Sequence, residues 1–175
     1  MRIKINITVN RAVQVLLLYL FFVVTSTALF VPIFAVFVTD FVGGATLKTV
    51  GFAIGLYAVA KSILQVPLAR FLDKRIGERD DFYALVAGAI VAVIYPFALL
   101  GGSKVWHLYT LEAFVGFGDA ALMAAYYSLF ARHVDKGAEG FEWSLFSVGG
   151  LTISSAIGGA IGGVLADTFG FRLLF

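Results

Sequence analysis

The chain has 175 residues, of which 61% are hydrophobic and only 14% are charged. An average soluble domain is about half apolar and about a quarter charged, so the surplus of apolar side chains must face lipid. The absence of cysteine excludes disulfides, thiol catalysis and cysteine-ligated metal. The formal net charge of +2 is small, and its distribution along the chain is more informative than its sum.

Five stretches have the length of about 20 mostly apolar residues that a helix needs to cross the hydrocarbon core. They run over residues 12–38, 48–72, 82–100, 106–132 and 144–166. The first stretch is much longer than the roughly 7–15 apolar residues of a signal peptide, so we interpret it as a retained helix. The connectors are short, so consecutive helices are antiparallel neighbours. The last residues look like the first turn of a sixth helix, and residues 1–175 are predicted to form a single transmembrane domain.

Lysine and arginine are distributed unequally between the two ends of these helices. One side has Arg2, Lys4, Arg11, Arg70, Lys74, Arg75, Arg79, Arg132 and Lys136, and the other has only Lys48, Lys104 and Arg172. Short loops rich in Lys and Arg stay in the cytoplasm. We therefore expect a multi-pass protein of the cell membrane with a cytoplasmic N-terminus.

The ends of the second and fifth helices resemble each other. Asp73 is followed by Gly77 and Arg79, whereas Asp167 is followed by Gly170 and Arg172. The two aspartates are three helices apart and so lie on opposite sides of the membrane. Three helices repeated in inverted orientation are a common construction of secondary transporters.

In this respect the chain resembles the major facilitator superfamily, which has the motif G-x-L-A-D-R-x-G-R-[KR] after its second helix. Asp73, Gly77 and Arg79 fall on the Asp, Gly and a following basic position of that motif. The segment from Gly163 to Arg172 fits the second copy of the pattern. The fourth helix is similar to the family's motif there through Gly116, Gly118 and Ala120, and the fifth to its glycine-rich signature through Gly158, Gly162 and Gly163.

The resemblance implies an all-α membrane protein with a 3+3 inverted repeat, here five transmembrane helices plus the start of a sixth. It also implies secondary active transport of a small solute by alternating access, with this chain as part of the N-terminal half. The partners would be the lipid bilayer, the solute with protons as a possible coupling ion, and either a missing C-terminal half or a second copy of the chain. We expect no nucleic-acid partner.

The loop after the second helix is predicted to act as a cytoplasmic gate. A carboxylate at a helix end accepts hydrogen bonds from free N–H groups or pairs with basic side chains, which holds two helices together. Asp73 is the expected acceptor, with Arg79, Arg70 or Lys74 as partners, and Gly77 permits a turn with positive φ. The alternative is that these charges are ordinary solvated loop residues.

Two rows of small residues follow the fifth helix at steps of four, one through Gly158 and Gly162 and the other through Gly159 and Gly163. Small residues at this spacing let helix backbones approach closely within a membrane. We interpret these glycines as packing residues. Sliding of this smooth face during a transport cycle is a further hypothesis.

Charged residues inside the spans are the strongest functional candidates, because each costs about 2.5–3.5 kcal/mol unless it has a partner or a cavity. They are Lys61 in the second helix and Glu112 and Asp119 in the fourth. Glu112, Asp119 and Tyr126 follow one another at steps of seven, which places them on one stripe of the helix. We interpret this stripe as a candidate substrate or proton pathway.

Asp119 is the best candidate for a carboxylate that binds substrate or a proton. Burial favours the protonated form of a carboxylate, and a nearby lysine favours the ionised form, so Lys61 is a candidate counter-ion. Two alternatives stay open at this stage. In the first, Lys61 forms a fixed structural pair with Asp119 or Glu112. In the second, the Glu112 side chain reaches the outer water.

No pattern in the sequence indicates an enzyme, a metal site or a cofactor. His107 and His133 cannot share a metal, because they lie at helix ends on opposite sides of the membrane. The leading hypothesis is a secondary transporter. The alternative is a non-transporting membrane protein, either a truncated remnant or a helical packing partner. The sequence leaves the substrate, the coupling ion and the direction of transport open.

Overall fold

The computed structural model describes residues 9–75 and 77–170. Within them, five helical segments are long and apolar enough to cross a membrane, and we call them spans 1 to 5: Arg11–Phe41, Leu47–Asp73, Arg79–Gly101, Val105–His133 and Glu139–Phe169. The prediction of five helices is confirmed, and the observed ends differ from the predicted ones by a few residues. The expected start of a sixth helix lies beyond Gly170, outside the described residues.

Span 1 is broken in its second half. Helix α1, Arg11–Ala28, ends before Leu29, and helix α2, Val31–Phe41, begins one residue before Pro32. Proline has no N–H for the carbonyl four residues earlier, and its ring crowds that carbonyl. It is tolerated in a first helical turn, so the chain restarts as a new helix at this point.

Spans 2, 3 and 4 are the continuous helices α3, Leu47–Asp73, α4, Arg79–Gly101, and α5, Val105–His133. Span 5 has three parts: α6, Glu139–Leu145, a π-helical segment, Phe146–Ile153, and α7, Ser154–Phe169. In the π-helical segment and just after it, Thr152 and Ser154 each donate a side-chain hydrogen bond to the carbonyl five residues earlier.

Span 4 lies at the centre of the bundle. In its most apolar window 61% of the residues are buried, against 11–22% in the other four spans. It packs along spans 2 and 3, while span 1 packs mainly along span 5. In an inverted repeat of three helices, span 1 corresponds to span 4 and span 2 to span 5. The contact of spans 1 and 5 then corresponds to the contact of spans 4 and 2, so the packing agrees with that repeat.

Both pairings depend on glycines that admit a neighbouring backbone. A Cβ atom on Gly158 or Gly162 of span 5 would collide with the carbonyls of Thr25 and Leu29 in span 1. A Cβ atom on Gly116 of span 4 would lie 2.5 Å from the Tyr57 carbonyl oxygen of span 2. Such approaches allow weak Cα–H···O contacts, and in lipid close packing is a main source of helix association.

The two predicted glycine rows differ in their surroundings. Gly158 and Gly162 are buried against span 1, whereas Gly159 and Gly163 have no atom within 4 Å of an added Cβ. Only the first row lies at the crossing with span 1, because the two rows are rotated by about 100° on the helix.

The helix ends separate into two faces. Asn10 donates hydrogen bonds to the His133 carbonyl at 2.7 Å and to Asp135 at 3.0 Å, and Arg132 reaches the loop at Gly77. At the other end the amide of Gly43 donates to the Ser103 carbonyl. We call the first end, which has Arg11, Arg79 and Arg132, the basic face.

The two glycine rows provide a matched test of the span 1–5 contact. We expect Gly158→Ala to lower the free energy of unfolding by about 1–3 kcal/mol, because the new methyl group meets backbone atoms of span 1. Gly159→Ala adds the same methyl group to open space and should change it by less than about 0.5 kcal/mol. Unfolding in mixed micelles measures both values, and equal losses would contradict the packing described.

Candidate functional site

The second span presents three polar side chains on one face. Tyr57, Lys61 and Gln65 follow at steps of four residues, which puts them on adjacent turns of one side of the helix, and all three are half-buried. This face of span 2 is directed towards span 4.

Lys61 and Asp119 form an ion pair across the two spans. The distance from Lys61 Nζ to Asp119 Oδ2 is 2.6 Å, and the Tyr57 hydroxyl donates a hydrogen bond of 2.5 Å to the same oxygen. Hydrogen bonds to an ionised group are stronger than neutral ones. The side chains of Lys61 and Asp119 are each 28% exposed, so the described residues do not cover the pair completely.

Gly116 makes this pair possible. It lies one helical turn before Asp119, and its added Cβ would be 3.2 Å from the Lys61 amide nitrogen and closer still to the carbonyl of Tyr57. Any side chain here would push spans 2 and 4 apart. The ion pair is therefore placed at the point where the two backbones come closest.

Glu112 has a different partner. It is only 5% exposed, and its Oε1 accepts a hydrogen bond of 2.6 Å from the Tyr95 hydroxyl of span 3. The structure therefore shows neither a Lys61–Glu112 pair nor a Glu112 side chain that reaches outer water. A buried carboxylate needs such a donor, because an unsatisfied one is costly in an apolar surrounding.

Tyrosines surround both carboxylates. Tyr57 donates to Asp119 and Tyr95 to Glu112, and Tyr19 of span 1 lies near Asp119. The Tyr19 hydroxyl is buried and has no hydrogen-bond partner among the described residues. We call the set the polar cluster, and it consists of Tyr19, Tyr57, Lys61, Tyr95, Glu112 and Asp119.

Tyr126 does not belong to the polar cluster. It is fully buried, its hydroxyl donates to the Leu16 carbonyl of span 1 at 3.2 Å, and its ring stacks on Phe130 at 5.8 Å. The structure places it in the core instead of on an open pathway. Span 4 is surrounded by neighbours, so the stripe of Glu112, Asp119 and Tyr126 meets spans 3, 2 and 1 in turn.

At the basic face Arg132 joins spans 2, 3 and 4. Its guanidinium donates to the carbonyls of Leu72 at 3.1 Å and Gly77 at 2.5 Å, and to the Asp81 carboxylate at 3.0 Å. Asp81 is fully buried. The planar fork of arginine suits several acceptors at once, and this set of bonds fixes the loop between spans 2 and 3.

Of the predicted gate residues, Gly77 takes part in this arrangement through its carbonyl, and the charged ones do not. Asp73, Arg70, Lys74 and Arg79 are exposed, and among the described residues none of them forms an ion pair. The expected pairing of Asp73 with a basic neighbour is therefore absent, because the helix end is held through Arg132 instead. Gly77 has φ +102°, the left-handed turn that was predicted for it.

The second copy of the motif ends span 5 in a similar way. Gly170 has φ +76°, and its amide donates to the Ala166 carbonyl. Asp167 is exposed. Arg172 lies outside the described residues.

Sequence reasoning missed Tyr57, Tyr95, Arg132 and Asp81 as site residues. Tyr57 was detectable, since it precedes Lys61 by one turn on the same helix face. The other contacts join residues 17 and 51 positions apart, and no local spacing rule relates such residues. Among the described residues no group of His, Cys, Asp or Glu is arranged to hold a metal ion.

The importance of Arg132 can be tested with an exposed arginine as control. Asp81→Asn should lower the free energy of unfolding by about 1.5–3 kcal/mol, because it removes the charged acceptor of an Arg132 hydrogen bond. Arg75→Gln, which affects only an exposed pair with Asp80 at 3.7 Å, should cost less than about 1 kcal/mol. Micelle unfolding of both variants checks this, and a small loss in Asp81→Asn would contradict the structural role.

These features define a class of protein: a multi-pass helical membrane protein with charged groups paired between its spans. A family model of the Major Facilitator Superfamily matches residues 16–175, and the chain belongs to this family.

A curated relative gives a more distant comparison. The chain is 27% identical over 139 residues to the "Proton-coupled antiporter flippase LtaA" of Staphylococcus saprophyticus subsp. saprophyticus. The match covers 78% of this chain and 34% of the relative, so the chain spans about a third of that protein's length. No solved structure matches the chain.

Proposed function

We propose that the chain belongs to the N-terminal half of a secondary transporter for a small solute, and that Asp119 binds a proton or the solute. The observation that carries this proposal is the Lys61–Asp119 pair in the middle of spans 2 and 4. Family membership and the proton-coupled antiporter among its relatives support transport over an enzymatic role.

The exposure of the pair supports a working site over a structural lock. In the Asp81–Arg132 pair, which fixes helix ends, the carboxylate is fully buried and only the arginine is exposed, at 27%. In the Lys61–Asp119 pair the carboxylate itself is 28% exposed, so a proton or a solute can reach it. A charge pair in lipid that serves no purpose would be costly to retain.

The packing supports an alternating-access mechanism. Spans 2 and 3 pack on span 4, and span 1 packs mainly on span 5; rigid-body rotation of packed units is one way in which proteins change conformation. We propose that a C-terminal half or a second copy of the chain completes the pathway. The chain would lie in the cell membrane with the basic face, and thus the N-terminus, in the cytoplasm.

A pH jump on a solid-supported membrane tests the role of Asp119 without knowledge of the solute. The reconstituted protein should give a transient current when the buffer turns acidic, because protons enter a site within the membrane. Asp119→Asn should abolish this current and leave the thermal unfolding temperature within a few degrees of the unsubstituted protein.

Asp40→Asn is the matched control, since Asp40 is exposed at the end of span 1 and pairs with no described residue. It should leave the current unchanged. A full current in Asp119→Asn would reject the role of Asp119. A folded protein without any proton current would favour the alternative of a non-transporting membrane protein.

A further inference from the structure

We infer that the polar cluster binds an anionic group of its solute, a carboxylate or a phosphate, and that Asp119 controls the access of this group to Lys61. The inference rests on the proposed transport function and adds the chemical class of the substrate. It follows from the numbers of donors and acceptors in the cluster and from their exposure.

The accessible part of the cluster is rich in donors. Lys61 contributes an ammonium group and Tyr57 a hydroxyl. Of the two carboxylates, Glu112 is shielded at 5% exposure and already accepts from Tyr95. Asp119 is thus the carboxylate of the cluster that a solute can reach, and its Oδ2 accepts from both Lys61 and Tyr57.

Protonation of Asp119 changes this balance. The ionised carboxylate cancels the charge of Lys61 and accepts its hydrogen bond. When Asp119 takes up a proton, the ammonium group loses its counter-ion, and the site gains one positive charge with the Tyr57 hydroxyl beside it. Anion oxygens then replace the carboxylate as acceptors of the hydrogen bonds from Lys61 and Tyr57.

A cationic solute fits this arrangement poorly. It would have to displace Lys61, whose ammonium group lies 2.6 Å from the carboxylate. Because Lys61 belongs to the same chain, it acts at a high effective concentration. Displaced Lys61 would then be left as an unpaired charge within the membrane, which is costly.

The proposed proton site is Asp119, the exposed carboxylate of the pair. Of the titratable side chains around it, Tyr57 and Lys61 of span 2 contact it and Tyr19 of span 1 lies near it, while Tyr95 of span 3 holds Glu112. The proton and the anion then bind to the same state of the site. Acidification should therefore strengthen anion binding, whereas a proton and a cation would compete for one carboxylate.

The inference is tested by equilibrium binding to the protein in phosphatidylcholine nanodiscs. The probes are benzenesulfonate, which stays anionic at every pH used, and benzyltrimethylammonium, a cation of similar size. Benzenesulfonate should bind about tenfold or more tightly at acidic than at alkaline pH, because a charge-assisted hydrogen bond of about 1.5–3 kcal/mol becomes available.

Three variants separate the contributions. Asp119→Asn should bind benzenesulfonate at both pH values with the affinity that the unsubstituted protein shows in acid. Lys61→Met should weaken binding about tenfold or more at either pH. Lys48→Met, which changes an exposed lysine at the start of span 2, should bind as the unsubstituted protein does. Thermal unfolding checks that each variant is folded.

Nanodiscs with phosphatidylglycerol distinguish a lipid headgroup from a free solute as the source of the anion. If the anionic lipid competes with benzenesulfonate, the site takes a headgroup, and if it does not, the site takes a soluble anion. Binding of benzyltrimethylammonium that is lost in Asp119→Asn would overturn the inference. So would a folded Asp119→Asn protein that binds no benzenesulfonate. In either case, a proton current in the unsubstituted protein that Asp119→Asn abolishes would leave the proposed transport function standing.

Discussion

The close approach of spans 2 and 4 at Gly116 is the constraint on which the polar cluster depends. Only a glycine lets the carbonyl of Tyr57 come so near to the backbone of span 4. One turn later this proximity brings Asp119 to within 2.6 Å of Lys61, so that neither charge faces lipid alone. The apolar composition requires the helices to cross the membrane. The close approach at Gly116 lets the two charges pair there, which lowers the cost of each.

Among the described residues, two charge pairs join spans of the bundle, and the exposure of their carboxylates separates their roles. Asp81 is fully buried beside Arg132, which also holds the carbonyls at the end of span 2 and in the following loop. That set of bonds fixes three spans at the basic face. The Lys61–Asp119 pair lies deeper along the spans, and its carboxylate is 28% exposed whereas that of Asp81 is fully buried, which suits a site that exchanges a proton or a ligand.

The sequence predicts the spans well because each depends on local composition alone. The glycine steps in span 5 and the left-handed turn at Gly77 were also predictable, since both follow from the small size of glycine. The Tyr95–Glu112 bond, the fixation of the loop by Arg132 and the π-helical segment depend on which helices become neighbours. Within the described part of the chain, the expected pairing of Asp73 with a basic neighbour is absent for the same reason. Arg132, which holds the helix end, is distant from Asp73 in the sequence.

A double-mutant cycle on Lys61 and Asp119 tests the central claim most directly. The free energies of unfolding of Lys61→Met, Asp119→Asn and the double variant are compared with that of the unsubstituted protein. The account predicts a coupling energy of about 0.5–3 kcal/mol, because the two side chains are in contact. Losses that add to within about 0.3 kcal/mol would mean that the two charges do not interact, and would contradict both the proposed site and the control of Lys61 by Asp119.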